Sequence, residues 1–344
     1  MSSLLQLVIL LVSTLLVASE PPVRYEASHR AMGTIFAVTT YGRDADYLAG
    51  VVDEVFEEVD RLDAQMSNYK PQSELSGINR DAASTAVMVE PKLFRLLQDS
   101  VRYSEETNGA FDITVGSLME AWGFFRGEEH VPDRAEIERV LQRVGYRHVR
   151  LDAATRTVRF DTQGVELDLG AIAKGYAVDQ AVTILRSHGV GAALVSNGTS
   201  SIYALGSPPG ERGWRVTVRD PYDARKAGDL FRLRNYALSV SGNYENFFKI
   251  GDRIYCHIMN PHTGWPVENM LSGVVLAAST TETDALSTSF FVLGTEGSRR
   301  YLATHPNLTA VFYQRTDSSG DHKRVMLRSD SYRLPPDTLA ELDR

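Results

Sequence analysis

The chain has 344 residues, of which 43% are hydrophobic and 23% are charged, so it has ample apolar sequence for a core and is not disordered. This length allows about two domains or one large α/β domain. Lysine and arginine number 36 against 44 aspartate and glutamate residues, and the net charge of −8 argues against binding of nucleic acid or an anionic membrane. The single cysteine, Cys256, excludes an intrachain disulfide and a cysteine-based zinc site.

The first 19 residues have the pattern of an export signal. Residues 4–17 form an almost unbroken apolar run that is short for a membrane-spanning helix, and small residues suited to cleavage follow at Ala18 and Ser19. We therefore expect residues 1–19 to be a signal peptide or an uncleaved N-terminal anchor, and residues 20–344 to form one folded domain. The protein is then exported to the periplasm, where an anchor would tether it to the inner membrane.

Hydrophobic periodicity predicts short strands and amphipathic helices along the rest of the chain. In chain order, we predict a strand at 34–41, helices at 45–66, from 93 to about 108 and at 132–144, a hairpin of 149–151 with 158–160, a strand at 165–169, a helix at 173–187, strands at 192–195, 214–218, 231–233, 237–240 and 274–278, helices at 284–293 and 298–304, and a last strand at 310–313. These elements lack regular βαβ alternation, which favours an α+β or irregular α/β fold class.

Several common cofactor and catalytic motifs are missing from the sequence. The segment nearest to a P-loop, residues 170–175, has Lys174 before its second glycine, and no Gly-x-Gly-x-x-Gly follows a predicted strand. There is no His-Glu-x-x-His helix and no Gly-x-Ser-x-Gly elbow. The eight histidines are scattered, so none of them has the spacing of a metal cluster.

Two polar segments suggest a site for phosphate and a divalent metal. In the first, Asp168 and Lys174 flank a glycine turn that enters a helix, and free N–H groups at a helix N-terminus favour phosphate. In the second, Asp284 and Thr288 share a helix face and offer hard oxygens of the kind that Mg²⁺ combines with water and substrate phosphates. The alternatives are structural: helix-capping acids, a surface lysine, and a threonine bonded to its own helix.

Two further segments place a histidine and aromatic residues beside polar turns. His257 would lie at the end of a strand just before an Asn-Pro turn, a position suited to a general base, although turn chemistry alone is the alternative. Residues 109–112 end in Asp112 and precede Trp122 and Phe124, and aromatic residues beside an acid can hold a stacked ring. The alternative there is an aromatic core with a capping aspartate.

Taken together and in order, these segments resemble the ApbE family, the FAD:protein FMN transferases. The resemblance covers about residues 30–295 and rests on seven stretches: Met32-Gly33-Thr34, Met66-Ser67-Asn68-Tyr69 with Ser73 to Ser76, Ala110-Phe111-Asp112 with Trp122 to Phe124, Asp168 to Tyr176, Ser241 to Tyr244, His257 to Gly264, and Asp284 to Thr288.

This resemblance implies an ApbE-like domain over residues 20–344, of T-fold-type architecture with mixed sheets and packed helices. It implies a Mg²⁺-dependent enzyme that takes FAD, transfers FMN to a Thr or Ser hydroxyl of an acceptor protein and releases AMP. The acceptor would be a subunit of an Rnf-type or sodium-pumping NADH:quinone oxidoreductase, or another FMN-domain protein. The competing interpretations are a Mg²⁺-dependent FAD pyrophosphatase that uses water and a periplasmic FAD-binding protein without chemistry.

Site residues follow from the resemblance position by position. Mg²⁺ would be held by Asp284, Thr288 and the backbone carbonyl of Ala171, and His257 would be the base. The flavin nucleotide would be held by Met32, Tyr69, Ala110, Phe111, Asp112, Asp168, Lys174 and Ile258. The chain departs from the family at Asn260, where an aspartate is frequent, and at residues 199–201, where a second glycine and an acid are frequent.

Overall fold

The structure is a computed structural model that describes residues 21–343 except 126, 128–129, 224, 252 and 317–320. The predicted export signal, residues 1–19, lies outside the described residues. Within the described part, no helix is both long enough and apolar enough to cross a membrane.

Helices and strands are intermixed along the chain. The helices are α1 (Ala45–Met66), α2 (Glu74–Asp81), α3 (Pro91–Glu106), α4 (Gly116–Ala121), α5 (Arg134–Leu141), α6 (Ala173–Ser187) and α7 (Thr280–Leu302), with a 3₁₀ turn at Tyr146–His148. The strands are β1 (Val23–Ala31), β2 (Thr34–Gly42), β3 (Val87–Met88), β4 (Val149–Asp152), β5 (Thr157–Phe160), β6 (Ala192–Asn197), β7 (Ser201–Leu205), β8 (Trp214–Arg219), β9 (Ala227–Arg234), β10 (Tyr236–Gly242), β11 (Phe247–Ile250), β12 (Arg253–Cys256), β13 (Met270–Ala277), β14 (Thr309–Arg315), β15 (His322–Arg328) and β16 (Leu339–Leu342).

One large sheet organises the molecule. It has eight described strands in the order β1-β2-β6-β7-β10-β13-β14-β15, and each adjacent pair is antiparallel. The smaller sheets have the orders β16-β9-β8, β3-β5-β4 and β11-β12. A parallel pairing occurs as one isolated bridge between Val115 and Glu166. Antiparallel sheets combined with packed helices confirm the predicted α+β class.

Both faces of the large sheet are covered, because its strands send alternate side chains into two cores. On one face, Val275 and Phe312 pack in the core that contains α1, α6 and α7. On the other face, Val274 and Tyr313 pack with Trp214 of β8 in a second core. The central strand β13 is buried at every position, so its apolar run is continuous rather than alternating.

Helix α7 meets the sheet through hydroxyl groups rather than through apolar side chains alone. The hydroxyl oxygens of Ser239 and Thr283 lie 2.6 Å apart, and those of Ser241 and Ser287 lie 2.8 Å apart. Thr288 Oγ1 is 3.2 Å from Ser241 Oγ. A hydroxyl both donates and accepts, so this buried layer satisfies its own polar groups while it joins β10 to α7.

Helices α6 and α7 approach each other so closely that only glycine fits at their contact. A Cβ atom at Gly175 would lie 2.2 Å from the carbonyl oxygen of Thr280 and 2.6 Å from Cβ of Asp284. These distances are far below van der Waals contact, so the first turn of α6 rests directly on the backbone of α7.

Two predictions about the elements are wrong. Residues 165–169 are not a strand, because their hydrogen bonds leave the sheet ladder: the Leu167 N–H donates to Asn79 Oδ1 at 2.8 Å, and the Asp168 N–H donates to the Ile113 carbonyl at 2.7 Å. The strand near 310–313 is not the last one, because β15 and β16 follow it.

Other predictions differ from the structure at their boundaries. The helix predicted at 132–144 is shorter, since Asp133 caps it by accepting from Glu136 N at 2.7 Å. The two helices predicted near the C-terminus belong to α7, which begins earlier, at Thr280, and is interrupted at Gly294, whose φ of 65° is unfavourable for other residues. Both ends of α1 and of α6 are as predicted.

The contact at Gly175 generates a prediction about stability. We expect Gly175→Ala to lower the free energy of unfolding by about 1–3 kcal/mol or more, because the added methyl group must push α6 away from α7. Gly50→Ala is the matched control: no heavy atom lies within 4 Å of its added Cβ, and alanine is better than glycine inside helix α1 by about 1 kcal/mol. Denaturant unfolding of both variants checks this, and equal effects at the two positions would contradict it.

Candidate active site

A cleft of about 1000 Å³ lies where α6, α7, the β6–β7 turn and the β11–β12 hairpin come together. This volume is at the upper end of the range for small-molecule sites. The structure brings all twelve predicted site residues into its lining: Met32, Tyr69, Ala110, Phe111, Asp112, Asp168, Ala171, Lys174, His257, Ile258, Asp284 and Thr288. Residues far apart in the sequence therefore form one site, while their individual roles remain predictions.

Asp284 and Thr288 occupy the buried wall of the cleft on α7. Asp284 is 3% exposed, and its Oδ2 accepts a hydrogen bond from the Gly175 N–H at 2.8 Å. Burial raises the pKa of Asp284, while the charge of Lys174 and the Gly175 N–H act in the opposite direction. Because its negative charge is only partly compensated, a buried carboxylate of this kind is strongly stabilised by a bound cation.

Ala171 lines the cleft just before the start of α6. Ala171 precedes Ile172, the N-cap of α6, and the helical bonds begin with the Tyr176 N–H, which donates to the Ile172 carbonyl at 3.0 Å, so the helix itself does not use the Ala171 carbonyl. The Gly175 N–H belongs to the first turn of α6, which has no carbonyl partners within the helix; it donates to Asp284, and Ile172 provides no side-chain cap. Ala171, Asp284 and Thr288 all line the cleft, so the start of α6 and the polar residues of α7 face the same site.

These three oxygens fit a hard divalent cation that takes its remaining ligands from water and phosphate. Among the described residues, no cluster of three or more His, Cys, Asp or Glu side chains could hold a metal ion. A cation at Asp284, Thr288 and Ala171 would therefore depend on a ligand to complete its coordination, and a dinucleotide diphosphate has the required oxygens.

His257 is held as a neutral imidazole. Its Nδ1 lies 2.9 Å from the carbonyl oxygen of Asn246, and a carbonyl can only accept, so Nδ1 carries the hydrogen. Burial lowers the pKa of His257 to about 4; the hydrogen bond to Asn246 opposes this shift, and the charge of Lys174 adds to it. At neutral pH, Nε2 therefore has a free lone pair that can accept a proton.

Asp168 and Lys174 are linked through the turn between them. Asp168 Oδ1 accepts from the Gly170 N–H at 2.7 Å, and Lys174 Nζ donates to the Gly170 carbonyl at 2.6 Å. Burial raises the pKa of Asp168, and the Gly170 N–H and Lys174 lower it. Asp168 thus has the structural, turn-binding role that was the alternative interpretation of the sequence. The same turn holds the charged Lys174 ammonium group at the N-terminus of α6.

The predicted aromatic segment is mainly structural in its contacts. Phe111 is 1% exposed and Trp122 is fully buried, with its indole N–H donating to the Gly264 carbonyl at 2.9 Å. Both rings pack in cores, and Phe111 also borders the cleft. Tyr69, by contrast, is 64% exposed at the cleft and has an edge-to-face contact with Phe125, so it offers an aromatic surface for a flat ligand.

The carboxylate of Asp112 is committed to the chain itself. Oδ1 accepts from the backbone N–H and the hydroxyl of Thr114 at 2.8 and 2.7 Å, and Oδ2 accepts from the Tyr146 N–H at 2.7 Å. Burial raises the pKa of Asp112, and these bonds lower it. Asp112 therefore fixes the loop that lines the cleft, whether or not it also contacts a ligand.

Several cleft residues were missed by sequence reasoning. Glu245 accepts from Thr199 Oγ1 at 3.1 Å, and the guanidinium of Arg219 lies 4.2 Å from the ring centroid of Tyr244. Asn197 is fully buried at the cleft lining, and its Nδ2 finds no partner among the described residues. Glu245 directly follows the family stretch Ser241 to Tyr244, so the sequence contained a signal for it. Asn197 and Arg219, at the ends of β6 and β8, lie in no such stretch.

The two departures from the family pattern are accommodated locally. Asn260 Oδ1 accepts from the His262 N–H at 3.0 Å, a bond that an aspartate oxygen would also form. In the other segment, Thr199 donates to Glu245, and the hydroxyl of Ser201 lies 2.9 Å from that of Ser239. Neither change alters the three oxygens proposed for the cation.

Comparisons with known proteins bear on the family of the chain. The sequence model of the ApbE family matches residues 32–312. The FAD:protein FMN transferase of Treponema pallidum is 33% identical over 304 residues, which cover 84% of this chain and 84% of that protein. The FAD:protein FMN transferase of Vibrio cholerae serotype O1 is 31% identical over 298 residues, covering 83% of this chain and 87% of that protein.

Solved structures give the same assignment. The crystal structure of the ApbE protein from Thermotoga maritima matches with a TM-score of 0.80 and 30% identity, covering 90% of this chain and 98% of that one. The flavin transferase ApbE from Vibrio cholerae matches with a TM-score of 0.79 and 28% identity, covering 91% of this chain and 99% of that one. Sequence and structure agree over most of the chain, and the protein therefore belongs to the ApbE family.

Proposed function

We propose that this protein is a Mg²⁺-dependent FAD:protein FMN transferase that moves FMN from FAD to a Thr or Ser hydroxyl of an acceptor protein and releases AMP. The observation that carries the proposal is the presence in one cleft of a neutral histidine with a free Nε2 and three hard oxygens beside a lysine. The FAD:protein FMN transferases among its relatives support the same reaction.

The reaction needs a proton acceptor and an in-line approach. The acceptor hydroxyl oxygen forms a bond to the FMN phosphorus of FAD, and the bond from that phosphorus to the bridging oxygen breaks. The electron pair and the bridging oxygen leave with AMP, and the hydroxyl proton passes to Nε2 of His257. An alcohol is a weak nucleophile without such a base, so His257 is assigned that role.

The residues around the diphosphate would hold charge and position. Asp284, Thr288 and the Ala171 carbonyl would hold Mg²⁺, which when bound acts as a Lewis acid that neutralises charge on the departing phosphate. Lys174 and the N-terminus of α6 would bind phosphate oxygens. Tyr69 would place the flavin by stacking, because it is the exposed ring at the cleft.

The proposal also includes the class of acceptor protein and the cellular location of the reaction. The acceptor is a flavin-carrying subunit of an Rnf-type or sodium-pumping NADH:quinone oxidoreductase, or another FMN-domain protein, and the reaction takes place in the periplasm. Residues 1–19 support the location through their apolar run and small residues. Fusion of these residues to a reporter active only after export tests it, and a reporter that stays inactive would refute it.

The closest competing function is a FAD pyrophosphatase in which water replaces the acceptor hydroxyl. We expect the protein, incubated with FAD, Mg²⁺ and a candidate acceptor domain, to add one FMN to a single Thr or Ser and to release AMP in equal amount. Mass spectrometry of the acceptor and chromatography of the nucleotides measure both products. Free FMN and AMP with an unmodified acceptor would establish the hydrolase instead, and unchanged FAD would leave only a binding function.

Removal of the carboxylate at Asp284 should disable the reaction. We expect Asp284→Asn to slow transfer at least about 100-fold, because a Lewis acid supplies several kcal/mol of transition-state stabilisation. Glu282→Gln is the matched control, since Glu282 is an acid on the same helix that does not line the cleft. Single-turnover rates at several Mg²⁺ concentrations measure the effect. Full activity of Asp284→Asn with Mg²⁺ still bound would refute the metal site.

Loss of the His257 side chain should slow the transfer step without weakening the binding of FAD. We expect His257→Ala to slow transfer by about 10²–10⁴-fold while the affinity for FAD stays the same, because a general base acts only in the chemical step. His262→Ala is the matched control, as His262 is exposed in the same turn segment and does not line the cleft. Rapid-quench transfer assays and FAD fluorescence titrations supply the two measurements.

The pH dependence gives a second measurement on His257. Since the pKa of His257 is lowered to about 4, the base form persists as the pH falls from about 8 and is lost only near pH 4. The single-turnover rate should therefore show no inflection near the ordinary histidine pKa of about 6.5. An inflection there that disappears in His257→Ala would contradict the neutral state derived from the structure.

A further inference from the structure

Asp179, on α6 outside the cleft, binds the beginning of α7. Its Oδ1 accepts from the Thr280 N–H at 2.9 Å and from the Thr280 hydroxyl. Its Oδ2 accepts from the Thr281 N–H at 2.8 Å, from Thr281 Oγ1 at 2.6 Å and from Ser279 Oγ at 2.7 Å. One carboxylate from another helix thus accepts five hydrogen bonds from three consecutive residues.

These bonds act on the free N–H groups of α7. The first four N–H groups of a helix lack partners within the helix, and negative charge there also interacts favourably with the helix dipole. The helix's own cap, Ser279, reaches Glu282 N at a longer distance of 3.4 Å. Asp179 is therefore the main acceptor for the first turn of α7, although it belongs to α6.

The contact is one half of a reciprocal arrangement. Asp179 of α6 binds the first turn of α7, and Asp284 of α7 binds the Gly175 N–H in the first turn of α6. Gly175 and Thr280, which take part in these two contacts, also touch each other at the crossing of the helices. Sliding or rotation of α7 along α6 would break both contacts, so their combination fixes the register of the two helices.

We propose that Asp179 is a positioning residue for the metal site, which aligns Asp284 and Thr288 of α7 with the Ala171 carbonyl at the start of α6. The inference rests on the proposed function, because it concerns the Mg²⁺ of that reaction. Asp284 lies one helical turn beyond Thr280, so a shift of the first turn of α7 moves the carboxylate relative to Ala171. Residues that orient metal ligands change metal affinity by about 10–100-fold when they are lost.

The test compares Mg²⁺ binding in three variants. Asp179→Asn keeps the shape of the side chain but removes its charge, and Thr281→Val removes one of the five hydrogen bonds. Asp133→Asn is the matched control, because Asp133 caps α5 by accepting from Glu136 N at 2.7 Å and α5 does not line the cleft. Isothermal titration of Mg²⁺ into protein containing ADP, whose diphosphate carries no FMN, gives the dissociation constant after subtraction of a protein-free blank.

We expect the Mg²⁺ dissociation constant to rise about tenfold in Asp179→Asn, to rise less in Thr281→Val and to stay unchanged in Asp133→Asn. We also expect excess Mg²⁺ to restore transfer by Asp179→Asn, since the ligands themselves remain. A dissociation constant within about twofold of the parent in both α6–α7 variants would overturn the inference and leave Asp179 as a purely structural cap.

Two other outcomes are decided by the same experiment. If Asp179→Asn does not fold, Thr281→Val alone decides, because it retains the carboxylate and four of its bonds. If the parent protein binds no Mg²⁺ with ADP, the titration is repeated with FAD; absence of binding with both nucleotides refutes the metal in the proposed function, and the inference falls with it. A parent that binds Mg²⁺ normally beside unaffected variants refutes only the role of Asp179.

Discussion

The site depends on two contacts between helices α6 and α7, in each of which a carboxylate of one helix accepts hydrogen bonds from the first turn of the other. Asp284 binds a backbone N–H of α6, Asp179 binds the first turn of α7, and Gly175 lets the two backbones touch between them. Each helix thus supplies a carboxylate that accepts from N–H groups in the first turn of the other. The Ala171 carbonyl precedes the N-cap of α6, so the helix itself does not use it. The cation site is therefore built from the way in which two helices pack.

The base comes from a different part of the fold. His257 directly follows β12, and its hydrogen-bond partner, Asn246, directly precedes β11, so both belong to the small hairpin rather than to the helices. The oxygens and the base therefore sit on separate rigid elements across one cleft. This separation suits an enzyme that must hold a dinucleotide on one side while a macromolecular hydroxyl approaches from the other.

Sequence reasoning was strongest where burial follows a helical period and weakest where burial has another cause. Both ends of α1 and α6 were predicted, because their apolar residues recur on one face. Residues 165–169 alternate like a strand, and Val165 and Leu167 are buried. The backbone of this segment, however, bonds to the Asn79 side chain instead of to a neighbouring strand. Periodicity reports which side chains are buried and does not report what the backbone bonds to.

The same limit applies to the candidate site. Its twelve residues could be grouped from motifs taken in family order, and the structure places them in one cleft. Asp179 was not found, because its partners lie about 100 residues later and no local pattern connects an aspartate in one helix to threonines in another. The aromatic segment was ambiguous for a related reason: Phe111 has the same sequence signature whether its ring contacts a ligand or, as here, fills the core.

The hydrogen bond that sets the tautomer of His257 comes from a main-chain carbonyl, and this has an evolutionary consequence. Every amino acid has that carbonyl, so the codon for Asn246 can drift without altering which imidazole nitrogen is free. Selection on the base then acts on the path of the hairpin, through its length and its turn, and not on the identity of the neighbouring side chain. Insertions and deletions between β11 and β12 are the genetic changes to which this histidine is sensitive.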